Sequence, residues 1–204
     1  MKTFLAISPR TCKSRNEELF RFQGTRPEIG LRRLPQLSGR QIHVSFKPGL
    51  TAHRGKLLSK SIKGDAVYAG CFLRKRRIVM DDDMLRTPRI LERIFVHEVF
   101  HFVWLRLGAL VRASYEELVS AELDRAARGE LGWSSESLKL KVTGTDRAER
   151  SRRWRDYICE SFCDTAGWLF GSTRQYSEMT LARRYRDARR RWFLENLSTR
   201  PLSV

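Results

Sequence analysis

Nothing in this sequence of 204 residues approaches the roughly 20 consecutive apolar residues that a membrane-spanning helix requires. The apolar stretch near the start, within residues 1–10, is too short for a signal peptide. Four cysteines include no Cys-x-x-Cys pair, which in a chain without an export signal points to reduced thiols and a cytoplasmic location. No internal repeat is present. Acidic residues are scarce, 23 against 40 lysines and arginines, and the resulting net charge of +17 favours an anionic partner. Nucleic acid, an acidic protein and a membrane surface all satisfy that charge, and composition does not choose among them. A hydrophobic content of 41% with five tryptophans is enough for a substantial core. The length fits one domain with an extension, or at most two small domains.

Histidine is also rare, four in the whole chain, and two of the four stand in His97-Glu98-Val99-Phe100-His101. At this composition such a pattern arises by accident in roughly one chain in two hundred. The surrounding stretch, Arg89 to Gly108, reads as one helix, with Thr87 as N-cap, Pro88 at the first helical position and Gly108 as C-terminal stop. Its apolar residues leave almost no polar face, so burial on most sides is expected. Positions four apart on a helix lie about 6 Å apart along the axis and about 40° apart in rotation. His97 and His101 can therefore aim at one point as zinc ligands, and Glu98 projects beside them towards a metal-associated water. Two satisfied core histidines are the plain alternative, but an ionisable trio in an apolar helix is costly unless something pairs with it.

Residues 1–39 are rich in Arg, Pro and Gly and read as an N-terminal extension, with a short helix around Asn16 to Phe22. From residue 40 the pattern turns to strands. Gln41 to Phe46 alternates and ends at the turn signal Pro48-Gly49, and Asp65 to Leu73 and Arg77 to Met80 flank a hairpin tip at Arg74-Lys75-Arg76. A small, mainly antiparallel sheet ahead of the histidine helix follows, giving an α+β domain over residues 40–197. An edge of that sheet could bind extended peptide beside a metal by strand addition. His43 and His53 read as strand and loop residues outside the motif. Ser114 to Arg128 is an amphipathic helix with Ser114 and Glu117 as a capping box. Residues 129–153 connect it to the next helix, with a short helix near Ser135 to Lys141. A basic C-terminal helix spans 180–197, with Leu181, Tyr185, Ala188 and Trp192 as its apolar stripe and Arg183, Arg184, Arg186, Arg189, Arg190 and Arg191 over the remainder. Residues 198–204 read as a frayed tail.

The second informative stretch is Trp154 to Gly171, another largely buried helix carrying Glu160 and Asp164 four apart. Two carboxylates so placed destabilise an isolated helix unless each meets a cation or donor. Glu160 is a candidate third zinc ligand, and Asp164 a candidate acceptor from the free ring nitrogen of a zinc-bound histidine. Cys159 and Cys163 have the chemistry of zinc ligands too, but fit packing positions on this helix. A metzincin pattern would need Gly and His where Trp104 and Leu107 stand.

His97-Glu98-x-x-His101 followed by Glu160-x-x-x-Asp164 resembles the gluzincins, the thermolysin-like clan of zinc metallopeptidases, over roughly residues 40–171. The stretch Glu160 to Phe170 is also similar to the glutamate helix of the ImmA/IrrE-type regulatory metallopeptidases, which cleave repressors. The resemblance implies a zincin-like fold, Zn2+ held by His97, His101 and Glu160, Glu98 as general base and Asp164 orienting a histidine. The implied activity is peptide-bond hydrolysis on a protein or peptide substrate. The oxyanion donor is open, with Tyr157, Tyr176 and the arginines as candidates. The other class of reading is a catalytically inactive zincin scaffold that binds nucleic acid or a regulatory protein through its basic surface.

Overall fold

The computed structural model describes residues 15–173, 175–198 and 200–204. Residues 1–14 of the expected extension and residue 199 of the expected tail lie outside the described residues. The architecture is α+β. Strands β1 (Phe20–Gln23), β2 (Leu37–Ser38), β3 (Ile42–Lys47), β4 (Leu50–His53), β5 (Lys56–Ser59), β6 (Asp65–Ala66), β7 (Ala69–Phe72) and β8 (Arg77–Asp81) come first. Helices α1 (Pro88–Arg106), α2 (Ala109–Asp124), α3 (Trp133–Lys139), α4 (Gly144–Ala148), α5 (Arg152–Phe170) and α6 (Arg183–Leu197) follow, and β9 (Leu202–Ser203) ends the order. Among the described residues no helix is long and apolar enough to cross a membrane.

The main sheet runs β1-β3-β8-β7. Only β7 and β8 pair antiparallel, through the expected hairpin, where Phe72 faces Arg77 and a left-handed Arg76 turns the chain. The expectation of a mainly antiparallel sheet fails here, because β1–β3 and β3–β8 are parallel. Parallel neighbours need crossover connections of about a dozen residues or more. Residues 24–41 and 48–76 supply them, the second carrying a separate antiparallel sheet ordered β5-β4-β6. The sequence segment read as an extension thus contributes β1 from Phe20, preceded by a 3-10 turn at Arg15–Leu19 rather than a helix reaching Phe22. The segment read as a frayed tail contributes β9, which pairs parallel with β2 and buries Leu202 and Val204.

Alternation in β3 and β8 puts Ile42, Val44, Ile78 and Met80 in the core, each at 0% exposure, and α1 lies against them. Phe95 of α1 meets Phe20 edge-to-face at 5.0 Å. Helix α5 runs antiparallel to α1, with Gly171 and Gly167 against Arg93 at one end and Phe162 on Trp104 at the other. The close approach at the first end favours a glycine: a Cβ on residue 167 would lie 3.0 Å from the Arg93 carbonyl oxygen, a tight contact. Phe100, Trp104, Tyr115, Phe162, Trp192 and Phe193 form one aromatic cluster joining α1, α2, α5 and α6. Helix α1 ends at Arg106 with Leu107 as C-cap, so Gly108 follows its last turn as expected. The same glycine is the N-cap of α2, which begins at Ala109 and not at Ser114. Ser114 lies inside α2, where its hydroxyl donates to the Val111 carbonyl and accepts from Trp192 Nε1, so it caps nothing. The capping box of this region is Thr143 with Asp146, at the start of α4.

Arg189, read as part of a solvated arginine face, is fully buried. Its guanidinium donates to Glu122 at 2.7 and 3.1 Å and to Glu130 at 2.7 and 3.2 Å, and Tyr157 and Lys139 also donate to Glu130. This network ties α2, α5 and α6 to the segment after α2. Burial works against the Glu130 anion, yet Arg189 holds its carboxyl below the usual carboxylate range. Replacing Arg189 with methionine leaves the buried Glu122 without a cation and Glu130 with Lys139 alone. The expected loss is about 3–5 kcal/mol of stability, read as a lowered denaturation midpoint, and an unchanged midpoint would contradict the network.

Candidate metal centre

The apolar run of α1 fixes its rotation. Burying Phe95, Val96, Val99, Phe100, Phe102 and Val103 in the core carries His97, Glu98 and His101 to the α5 side. On α5 the burial of Ile158, Phe162 and Ala166 does the same for Cys159, Glu160, Cys163 and Asp164. The two sets meet across the helix pair. His97 Nε2 and His101 Nε2 stand 3.2 Å apart. Glu160 Oε2 is 3.1 Å from His97 Nε2, and its Oε1 is 3.6 Å from His101 Nε2. Tetrahedral zinc with bonds of about 2.0–2.1 Å sets its ligand atoms about 3.3–3.4 Å apart. Two imidazole nitrogens and one carboxylate at 3.1–3.6 Å fit that requirement. The Glu160 side chain remains 24% exposed, so the cluster has a solvent face.

Asp164 occupies the far side of His97. Its Oδ1 lies 2.8 Å from His97 Nδ1, which fixes the ring orientation and turns Nε2 towards His101. Its Oδ2 accepts the backbone N–H of Ser135, 3.0 Å away in the first turn of α3. Gly132, the N-cap of that helix, carries no capping side chain, and a Cβ there would fall 2.3 Å from Asp164. The Asp164 carboxylate thus caps a neighbouring helix while holding a histidine. Glu98 is 8% exposed and makes no hydrogen bond or ion pair to a described residue.

The charges answer one another. Burial opposes the His97 cation, but Asp164 and Glu160 outweigh it and hold the imidazole well above its ordinary value. Burial likewise opposes the His101 cation, and Glu160 prevails, raising it to about 9. The same histidines overcome burial at Glu160 and bring its carboxyl down to about 2. Burial pushes the Glu98 carboxyl up, against the pull of both histidines.

A second donor set shares one of these rings. His101, Cys159 and Cys163 also place one ligand atom each within 4.8 Å of the others, as His97, His101 and Glu160 do. Cys159 Sγ faces His101 Nδ1 at 3.5 Å, the nitrogen turned away from His97. Hydrogen bonding from Cys163 and the His101 charge bring the Cys159 thiol down to about 6 despite burial. The expectation that these cysteines only pack is therefore incomplete, since Cys159 also fixes the ring of His101. Other candidates are placed elsewhere. Tyr157 donates to Glu130 at 2.5 Å and Tyr176 to the Leu131 carbonyl at 2.6 Å, so neither hydroxyl is free to receive an oxyanion. His43 lies in β3 and His53 in β4, outside the cluster. Gly132 and Ser135, which sequence reasoning passed over, act through backbone and small size; a glycine just ahead of a short helix is the one trace they leave in the sequence.

No protein-family model, curated protein or solved structure matches the chain.

Zinc content of purified variants distinguishes the two donor sets. His97→Ala, His101→Ala and Glu160→Ala should each abolish stoichiometric zinc, whereas Cys159→Ala and Cys163→Ala should retain it; the reverse pattern would assign the site to the thiols. Only unprotonated ring nitrogens ligate, and both histidine values are raised, so zinc affinity should fall as pH drops below about 9 and binding should release protons. Competition with a chromophoric chelator across pH measures this. Asp164→Asn should weaken zinc binding by roughly 10–100-fold, and Gly132→Ala should act in the same direction by displacing that carboxylate.

Proposed function

We propose that the protein is a zinc-dependent metallopeptidase of zincin type. The observation that carries the reading is the convergence of His97 Nε2, His101 Nε2 and the Glu160 carboxylate at 3.1–3.6 Å, with Asp164 behind His97. Zinc held by these three side chains supplies a Lewis acid that polarises a carbonyl and lowers the pKa of coordinated water from about 16 towards neutrality.

The chain's own groups then have distinct tasks. Asp164 keeps His97 in the tautomer that presents Nε2. Glu160, drawn to about 2, remains an anion at any physiological pH. Glu98 sits one residue beyond His97, buried and without a partner among the described residues, which leaves its carboxylate free to take a proton from the attacking water. The same group passes that proton to the leaving nitrogen. Among the described residues strand β7 is paired on one side only, by β8, and it contacts α1, which suits backbone pairing with an extended substrate.

A second reading is supported by the tyrosines. With the Tyr157 and Tyr176 hydroxyls both committed, no tyrosine candidate remains for the oxyanion, as would suit a scaffold that retains the metal without hydrolysis. One variant separates the readings. Glu98→Gln should keep one zinc per chain and lose peptide hydrolysis by at least about 10²-fold, assayed on an unfolded, fluorescently labelled casein. Hydrolysis unchanged in Glu98→Gln, or absent in zinc-loaded wild type, would remove the peptidase reading.

A further inference from the structure

The sequence pattern points to the arginines of α6 as the basic face, but the structure gives most of them partners. Arg183 pairs with Asp187, Arg184 and Arg190 lie over Tyr185 and Trp168, Arg186 meets Met179 and Arg189 is buried between two glutamates. In the basic stretch ahead of α5, Arg147, Arg150 and Arg153 are ion-paired, with Asp124, Glu116 and Asp146.

The tip of the β7–β8 hairpin is different. Arg40, Gln41, His43, Arg74, Lys75 and Arg76 line a concavity of about 490 Å³, and no carboxylate lines it. Arg40, Arg74 and Lys75 are exposed and form no ion pair with any described residue. Arg76 is the scaffold of this surface. It holds a left-handed backbone at φ +48 and donates to the main-chain oxygens of Arg40, Gln41 and Val204, tying the hairpin tip to the segment entering β3. Burial, and after it the like charges of Arg106 and Arg40, lowers the Arg76 guanidinium from its ordinary value. The large apolar side chains that stand exposed, among them Ile62, Leu110, Trp133 and Leu140, all lie outside the concavity. A membrane-binding surface gains from apolar groups that enter the lipid, and this one has only cations and polar groups.

We propose that this concavity is a phosphodiester-binding site through which the protein grips a nucleic-acid strand, with Arg40, Arg74 and Lys75 contacting phosphates. The site is separate from the metal cluster and does not rest on the peptidase reading. Each phosphate neutralised contributes about −0.7 to −0.9 to the slope of log K against log salt concentration.

The test uses the full chain with fluorescein-labelled, mixed-sequence duplex and single strands, titrated over a series of potassium chloride concentrations. Wild type should bind with a clear negative slope. The triple variant Arg40→Ala, Arg74→Ala, Lys75→Ala should bind roughly tenfold or more weakly at low salt, with a slope shallower by about 2–3. A control variant, Arg125→Ala, Arg128→Ala, Arg191→Ala, removes the same charge from exposed positions elsewhere and should stay near wild type. Glu98→Gln should bind as wild type does, which keeps this outcome independent of hydrolysis. Absence of binding to both strand forms, equal weakening by the control, or an unchanged slope in the triple variant would overturn the proposal. So would binding confined to phosphatidylserine vesicles and lost in the same triple variant.

Discussion

The candidate site depends on a single carboxylate that answers two demands at once. Asp164 meets His97 Nδ1 with one oxygen and the backbone N–H of Ser135 with the other. Without it a buried imidazole would lose its orientation, and α3, whose N-cap is a glycine, would lose the group that satisfies its first turn. The position is possible because residue 132 has no Cβ, and the glycine at 167 eases the close approach of α5 to α1. The ligand spacing between His97, His101 and Glu160 follows from that helix pair, not from α1 alone.

The support extends one layer further. Residue 132 follows Glu130, which the buried Arg189 holds from α6, and the Glu130 carbonyl accepts the N–H groups of Thr180 and Leu181. The chain leaving α5 and the chain leaving α2 are thus joined at the point where the Asp164 pocket is built. A buried ion pair is weak evidence for stability, since desolvation opposes it. Here it acts together with Ala127 and Leu131, which pack on Trp168, Leu181 and Tyr185, to fix the position of the segment.

What the sequence revealed follows from how each feature is encoded. Helices α1 and α5 were legible because a long apolar pattern and a chemical motif coincide, and His97, Glu98, His101, Glu160 and Asp164 are all brought to one place. Strand β1 was not, because Phe20-Arg21-Phe22-Gln23 is a four-residue alternation set among Arg, Pro and Gly, and its partner β3 lies across a long crossover. The two-residue β9 carries too little pattern to be distinguished from a tail. Arg189 was hidden by its neighbours: in an arginine-rich run the one that follows Tyr185 by four and precedes Trp192 by three lies on the buried stripe. Its burial could be recognised only by finding the two glutamates, 59 and 67 positions away, that receive it. The end of α1 was legible at Gly108, but the start of α2 was not, because its N-cap is that same glycine with no capping side chain and the cap expected at Ser114 lies inside the helix.

The pairing of buried acids isolates the group most available for chemistry. Asp81 accepts from Leu50 and Asp83, Glu122 and Glu130 share Arg189, and Asp164 has His97 and Ser135. Among the described residues two buried glutamates on α1 have no such partner: Glu92, whose Oε1 is sealed from solvent, and Glu98, which keeps 8% exposure. They are six apart, so they lie on different sides of the helix. Glu92 turns towards Gly30, away from the histidines. Glu98 adjoins them, feels the charge of both rings, and has its carboxyl raised by burial. A largely buried carboxylate without a protein donor relies on water or on another task to offset its desolvation. The proton transfer proposed for Glu98 beside the His97–His101–Glu160 cluster would account for its burial, its neighbours and its lack of a fixed protein partner together.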